Sequence, residues 1–139
     1  MKVVIIDAQG GGVGRMLTEQ LKKALPGQPL IALGTNALAT AAMIKAGADQ
    51  GATGENAIRV TAATADLILA PIGMLLADGI LGEVTESMAA AIGRSGAHKI
   101  LVPSTRCGVT VAGVSAQPMA EYIAQAVRAA AEYIRACEG

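Results

Sequence analysis

Short apolar runs alternate along the chain with longer amphipathic segments. Runs rich in Val, Ile and Leu predict β-strands over residues 3–8, 30–34, 67–71, 99–103 and 109–114. Apolar residues that recur every three or four positions predict helices over residues 13–25, 36–46, 85–92 and 119–137. The glycine-containing stretch 46–56 is predicted as a loop, and residues 57–61 fit either a short strand or the start of a helix.

This order of elements predicts the fold class. Strands that alternate with helices form βαβ units, in which helices cover both faces of a parallel sheet. The 139 residues suit one domain, and no repeat or long linker divides them. We therefore expect residues 1–139 to form a single α/β domain, a Rossmann-like three-layer sandwich with a mostly parallel sheet.

Composition and charge argue against several classes of partner. Eleven basic residues balance eleven acidic ones, and the chain has no Phe or Trp, so neither a basic face nor stacking rings are provided for nucleic acid. No apolar run reaches the roughly 18 residues of a membrane span, and the first one is too short for a signal peptide. One His and two Cys argue against a metal site. These features predict a cytoplasmic protein without nucleic-acid or membrane partners.

Residues 8–15, Ala-Gln-Gly-Gly-Gly-Val-Gly-Arg, place four glycines between the first strand and the first helix. Ligands of parallel sheets gather at the carboxyl ends of the strands, and the free N–H groups of a helix N-terminus attract phosphate. We predict that a phosphate is held here by Gln9, Gly10, Gly11, Gly12, Val13, Gly14 and Arg15. The alternative is that the glycines only allow tight packing. A Walker loop is excluded, because Arg15 and Met16 stand where Lys and Ser or Thr are needed.

Other residues are predicted at the same edge of the sheet. Thr35 and Asn36 follow the second strand, where they either bind the ligand or cap the next helix. Pro71 ends the strand over 67–71, Gly73 follows it, and these two complete the predicted binding residues. No acid follows the second strand, so any dinucleotide preference should lean towards NADP over NAD.

Four further side chains are considered for their chemistry. Asp7 ends the first strand, where it either holds Mg²⁺ or, as we favour, accepts hydrogen bonds from loop N–H groups. Cys107 follows the predicted strand over residues 99–103, beside Arg106, and is a candidate nucleophile, weighed against a small buried side chain. Glu83 and Glu86 are predicted as acids of a first helical turn.

Three resemblances to known families follow from these motifs. "DAQGGGVGR" resembles the TGxxxGxG opening of short-chain dehydrogenases, although Ala8 replaces the first glycine and no Tyr-x-x-x-Lys pair exists. "LGTNALAT", with Asp66 and "PSTRC", resembles methylglyoxal synthase-like domains. "IIDAQGGGVG", "ALGTNALATAAMIKAGADQGATGENA", "APIGMLLADGILGEVT" and "KILVPSTRC" together resemble a short bacterial family of unknown function. That last resemblance covers most of the chain and implies a Rossmann-like fold without an assigned activity.

We therefore expect a domain that binds a nucleotide or dinucleotide of the NAD(P) type through a small phosphate-containing group. The alternatives are a methylglyoxal synthase-like enzyme for a small phosphorylated metabolite and a non-catalytic subunit that senses a nucleotide. No complete catalytic set predicts a reaction. The stretch "PIGMLLADGILG" (71–82) carries six large apolar residues that share no single stripe, which predicts a homodimer contact, with a lid over the ligand as the alternative.

Overall fold

The computed structural model of the protein describes residues 1–103 and 108–138. Within these ranges, strands β1 to β5 are Val3–Asp7, Leu30–Gly34, Gln50–Thr53, Leu67–Pro71 and His98–Val102. Helices α1 to α5 are Gly12–Ala24, Ala37–Lys45, Glu55–Ala62, Glu86–Arg94 and Met119–Glu138, and a 3₁₀ turn covers Ile72–Leu75.

The described strands form one sheet in the order β3-β2-β1-β4-β5, and every neighbouring pair is parallel. The predicted Rossmann-like α/β class is therefore confirmed. The chain builds outwards from β1 to β3 and then returns to place β4 on the other side of β1. This reversal opens a crevice between the carboxyl ends of β1 and β4, where sheets of this kind bind ligands.

Alternation along the strands divides the core into two layers. Val3 and Ile5 of β1 pack with α1 and α5, whereas Val4 and Ile6 pack with α3 and α4. All four side chains are buried, since both faces of a parallel sheet are covered. None of the helices in the described ranges combines the length and apolar character needed to cross a bilayer.

The structure corrects the sequence prediction in two places and, at residues 57–61, decides between its two alternatives in favour of a helix. Residues 50–53, predicted as loop, form the edge strand β3, whose four residues are all exposed and so carry no apolar pattern. Residues 57–61 lie within α3, with Ile58 fully buried. Residues 109–114, predicted as a strand, are irregular and largely exposed, so apolar composition without burial did not produce a strand.

Candidate functional site

A cleft of about 720 Å³ opens at the carboxyl ends of β1, β4 and β5. Its walls come from four parts of the chain: the end of β1 with the loop and helix start that follow, the end of β4 with the segment after it, the end of β5, and residues 116–122 at the start of α5. This is the edge at which the sequence predicts a ligand, and the cleft is large enough for a small organic molecule.

The structure distributes the predicted binding residues over three positions. Gln9, Val13, Pro71 and Gly73 line the cleft. The other residues of the glycine loop lie beside it without lining it, namely Gly10, Gly11, Gly12, Gly14 and Arg15. Thr35 and Asn36 lie one strand away, at the end of β2, and Cys107 and Arg106 fall outside the described residues.

Two of the four glycines are explained by packing. Gly11 has a φ of +74°, and a Cβ there would lie 2.9 Å from the backbone oxygen of Ala39. A Cβ on Gly14 would lie 2.5 Å from the Met43 sulfur and 2.9 Å from Cβ of Asp7. These two glycines let α1 approach α2 and β1 closely.

The other two glycines have no packing reason to lack a side chain. Gly10 and Gly12 are exposed, have no positive φ, and would place a Cβ more than 4 Å from any neighbour. Among the residues that the structure describes, no acceptor meets the backbone N–H of either. Both amides therefore offer donors beside the cleft, at the start of α1.

Asp7 is buried at the end of β1 and lines the cleft. Its carboxylate accepts hydrogen bonds from the backbone N–H of Ala8 (2.8 Å) and of Gly14 (2.7 Å). The prediction that Asp7 accepts loop N–H bonds is therefore confirmed. Burial raises the pKa of Asp7 above its ordinary value of 3.8, the hydrogen bonds from Gly14, Ala8 and Val13 act against this rise, and the charge of Glu83 adds to it.

This raised pKa predicts a pH dependence of stability. Asp7 binds its proton more readily in the folded chain than in the unfolded one, so its contribution to the free energy of unfolding grows as the pH falls through the folded pKa. Asp7→Asn cannot titrate. We expect the stability of the natural chain relative to this variant, measured by urea unfolding, to rise as the pH is lowered from neutral towards 3.8. A relative stability that stays constant or falls would contradict the prediction.

Thr35 and Asn36 contact the carboxylate of Glu83, a contact that the sequence did not predict. Asn36 caps α2, because its side-chain oxygen accepts from the backbone N–H of Ala39 (2.9 Å). The Asn36 amide donates to the backbone oxygen of Gln9 (2.9 Å) and to Oε1 of Glu83 (3.0 Å), and the Thr35 hydroxyl donates to the same Oε1 (2.8 Å). The end of β2 therefore has an acid beside it.

Glu83 corrects two expectations. It lies in a turn before α4, whereas Glu86 lies in the first turn of that helix as predicted. No acid follows β2 in the sequence, but the structure brings Glu83 to that place from another loop, so the sequence no longer supports a lean towards NADP. Burial opposes ionisation of Glu83, but hydrogen bonds from the Gln9 N–H, Thr35 and Asn36 outweigh it, and its pKa lies below the ordinary value of 4.5.

Residues 76–85 form the loop that carries Glu83, and this loop is strained. Asp78, Ile80 and Leu81 adopt left-handed backbone conformations, with φ of 61°, 54° and 54°. Such a conformation is costly for a β-branched residue such as Ile80. Ile80 and Leu81 line the cleft, and Leu81 is 97% exposed. The surrounding contacts therefore hold this loop in place beside the cleft.

Sequence reasoning also missed Tyr122 as a site residue. It lines the cleft from the first turns of α5, and its hydroxyl donates to the backbone oxygen of Ser115 (2.8 Å) and accepts from the N–H of Gln117 (3.1 Å). The helical spacing of Tyr122 and Tyr133 pointed only to core packing. The topology could have indicated this position, because a helix that follows β5 begins at the carboxyl edge of the sheet, where Tyr122 lies.

The family comparison agrees with the resemblance found in the sequence. No curated protein and no solved structure matches the chain. A family model described as Domain of unknown function (DUF3842) matches residues 2–135. Since this match spans nearly all of the 139 residues, the chain belongs to the DUF3842 family.

Proposed function

We propose that this protein binds a nucleotide or dinucleotide, with a phosphate at the glycine loop and the remainder of the ligand in the cleft. The observation that carries the proposal is the position of the cleft. It opens where the strand order reverses between β1 and β4, directly beside the loop Ala8–Gly11. Open sheets of this topology bind nucleotides at that crevice.

The two exposed glycines support the phosphate position. The N–H groups of Gly10 and Gly12 are available to an anion, and no Cβ stands between them and the ligand. They lie at the N-terminus of a helix of 13 residues, whose dipole favours negative charge at this end. Asp7 already holds the N–H of Gly14, so the phosphate contacts belong to the outer part of the loop.

The arrangement favours binding over catalysis. Of the described residues that line the cleft, Asp7 and Tyr122 carry groups that titrate, and both are engaged in hydrogen bonds to backbone groups. Among the described residues that line the cleft, none favours the methylglyoxal synthase-like alternative. Asp66 precedes β4 at the opposite edge of the sheet, where it accepts from the N–H of Lys2. We therefore propose a nucleotide-sensing role without chemistry by these side chains.

A thermal-shift and calorimetric screen tests this function. The probes are NAD, NADP, ATP, AMP and a phosphosugar, each titrated into the full chain. We expect at least one nucleotide to raise the melting temperature in a saturable way, because a ligand that binds only the folded state stabilises it by mass action. Binding of the phosphosugar alone would favour the phosphorylated-metabolite alternative, and binding of none would refute the proposal.

Self-association is a separate proposal. Several apolar residues of the stretch 71–82 point inward, since Met74 is fully buried and Leu75 and Ile80 pack against the core. Leu81 remains almost fully exposed and is proposed to lie at a homodimer contact. Sedimentation at micromolar concentration should give twice the mass of one chain, and Leu81→Ser should shift the mass to one chain. A monomeric natural chain would contradict this.

A further inference from the structure

The Glu83 carboxylate is held by one of its two oxygens. Oε1 accepts from the Gln9 backbone N–H (3.0 Å), the Thr35 hydroxyl (2.8 Å) and the Asn36 side-chain amide (3.0 Å). These donors come from two separate loops, after β1 and after β2, whereas Glu83 comes from the loop after β4. Three converging donors fix the plane and direction of the carboxylate.

The second oxygen remains available. Within residues 1–103 and 108–138, no group donates a hydrogen bond to Oε2 of Glu83. An ionised carboxylate has about four acceptor positions, and an oriented one binds donors with little further loss of side-chain freedom. Glu83 therefore presents an oriented, negatively charged acceptor that none of the described residues uses.

The position of this acceptor relates it to the proposed ligand. Glu83 lies two residues after Leu81 and accepts a hydrogen bond from the backbone N–H of Gln9. Both Leu81 and Gln9 line the cleft. Gln9 also directly precedes Gly10, the first of the two glycines whose N–H meets no acceptor among the described residues. The acceptor thus lies at the rim of the cleft, beside the ends of β1 and β2 and within reach of the glycine loop.

We propose that Oε2 of Glu83 accepts hydrogen bonds from the 2′- and 3′-hydroxyls of a bound nucleotide, which makes the site selective for an unmodified ribose. The inference rests on the proposed nucleotide binding. In dinucleotide-binding sheets an acid beside the second strand binds these hydroxyls, and here a different loop delivers the acid to that place. A 2′-deoxy sugar loses one donor, and a 2′-phosphate meets the carboxylate as a like charge.

The variant Glu83→Gln distinguishes two roles of this side chain: binding the ribose through Oε2, and joining the loops after β1 and β2 through Oε1. The three donors require an acceptor opposite them, so the glutamine amide oxygen takes the place of Oε1. The amide nitrogen then replaces Oε2, which turns the free acceptor into a donor of similar shape. The loop contacts are kept, while the charge-assisted hydrogen bonds that the ribose hydroxyls donate to the carboxylate are lost.

The experiment compares the full chain and Glu83→Gln by calorimetry with AMP, 2′-deoxy-AMP, NAD and NADP. In the natural chain we expect AMP to bind about tenfold more tightly than 2′-deoxy-AMP, and NAD more tightly than NADP, since a hydrogen bond to a charged group contributes roughly that factor. The variant should bind 2′-deoxy-AMP about tenfold more weakly, because the 3′-hydroxyl contact is lost, and AMP about a hundredfold more weakly, because both hydroxyl contacts are lost. Its melting temperature should fall only slightly, because the three donors keep an acceptor, although a neutral amide oxygen accepts weaker hydrogen bonds than a carboxylate.

The outcomes separate the two proposals. Equal affinity of the natural chain for AMP and 2′-deoxy-AMP would overturn ribose recognition and leave nucleotide binding standing. A variant that loses both ligands equally would show that Glu83 acts through the loop and would also overturn it. If none of the four probes binds the natural chain, nucleotide binding itself fails, and ribose recognition fails with it.

Discussion

Replacing Gly12 with Asp should abolish nucleotide binding and leave the fold intact. Gly12 is the exposed first residue of α1, and a side chain there meets no atom within 4 Å. The new carboxylate would stand where the N–H groups of the loop are proposed to face the phosphate, and like charges in such a contact cost several kcal/mol. We expect the affinity for AMP or NAD to fall by about a hundredfold or more.

Stability should not fall in this variant, because an acid in the first helical turn interacts favourably with the helix dipole, by about 0.3–1 kcal/mol. The matched control is Gly27→Asp. Gly27 is also exposed with no neighbour within 4 Å of an added Cβ, but it lies after α1, at the opposite edge of the sheet. Calorimetry of both variants checks the prediction. Equal binding by Gly12→Asp and the natural chain would refute the phosphate position at the glycine loop.

The sequence predicted most of the fold because burial leaves a pattern. The strands β1, β2 and β4 are continuous apolar runs, since both of their faces are covered. Strand β3 escaped prediction because it lies at the sheet edge with all four residues exposed. Its Gly51 reads as a loop residue, yet a Cβ there would lie 2.5 Å from the Ile44 side chain, so close packing explains it.

The sequence also indicated the edge of the sheet at which the cleft lies, but it did not indicate the Glu83 carboxylate beside it. The carboxyl ends of parallel strands share one edge, and this topological rule placed the glycine loop, Pro71 and Gly73 together. The contact of Glu83 with Thr35 joins residues 48 positions apart through a strained loop. No local sequence pattern predicts the course of this loop. Three of its residues adopt left-handed conformations that their side chains disfavour, and tertiary contacts hold them there.

The four glycines illustrate the same limit, and their two roles can be separated by stability. Gly11→Ala should lower the free energy of unfolding by about 3 kcal/mol, or the melting temperature by roughly 10 °C. An alanine at φ +74° is strained in itself, and its Cβ would lie 2.9 Å from the Ala39 oxygen and 3.0 Å from the Ala39 Cα. Backbone atoms cannot move aside as a flexible side chain can, so α1 and α2 would have to separate.

Gly10→Ala is the control for this prediction, one residue away. Gly10 has no positive φ and no atom within 4 Å of an added Cβ, so alanine there should change the free energy of unfolding by at most about 0.5 kcal/mol. Urea unfolding of both variants measures the difference. Equal losses at the two positions would mean that the loop tolerates no side chain anywhere. If only Gly11→Ala lowers the free energy of unfolding, then packing does not require the glycine at position 10, in line with the open space around Gly10 and Gly12. Binding of a ligand by their N–H groups would then remain the explanation for these two glycines.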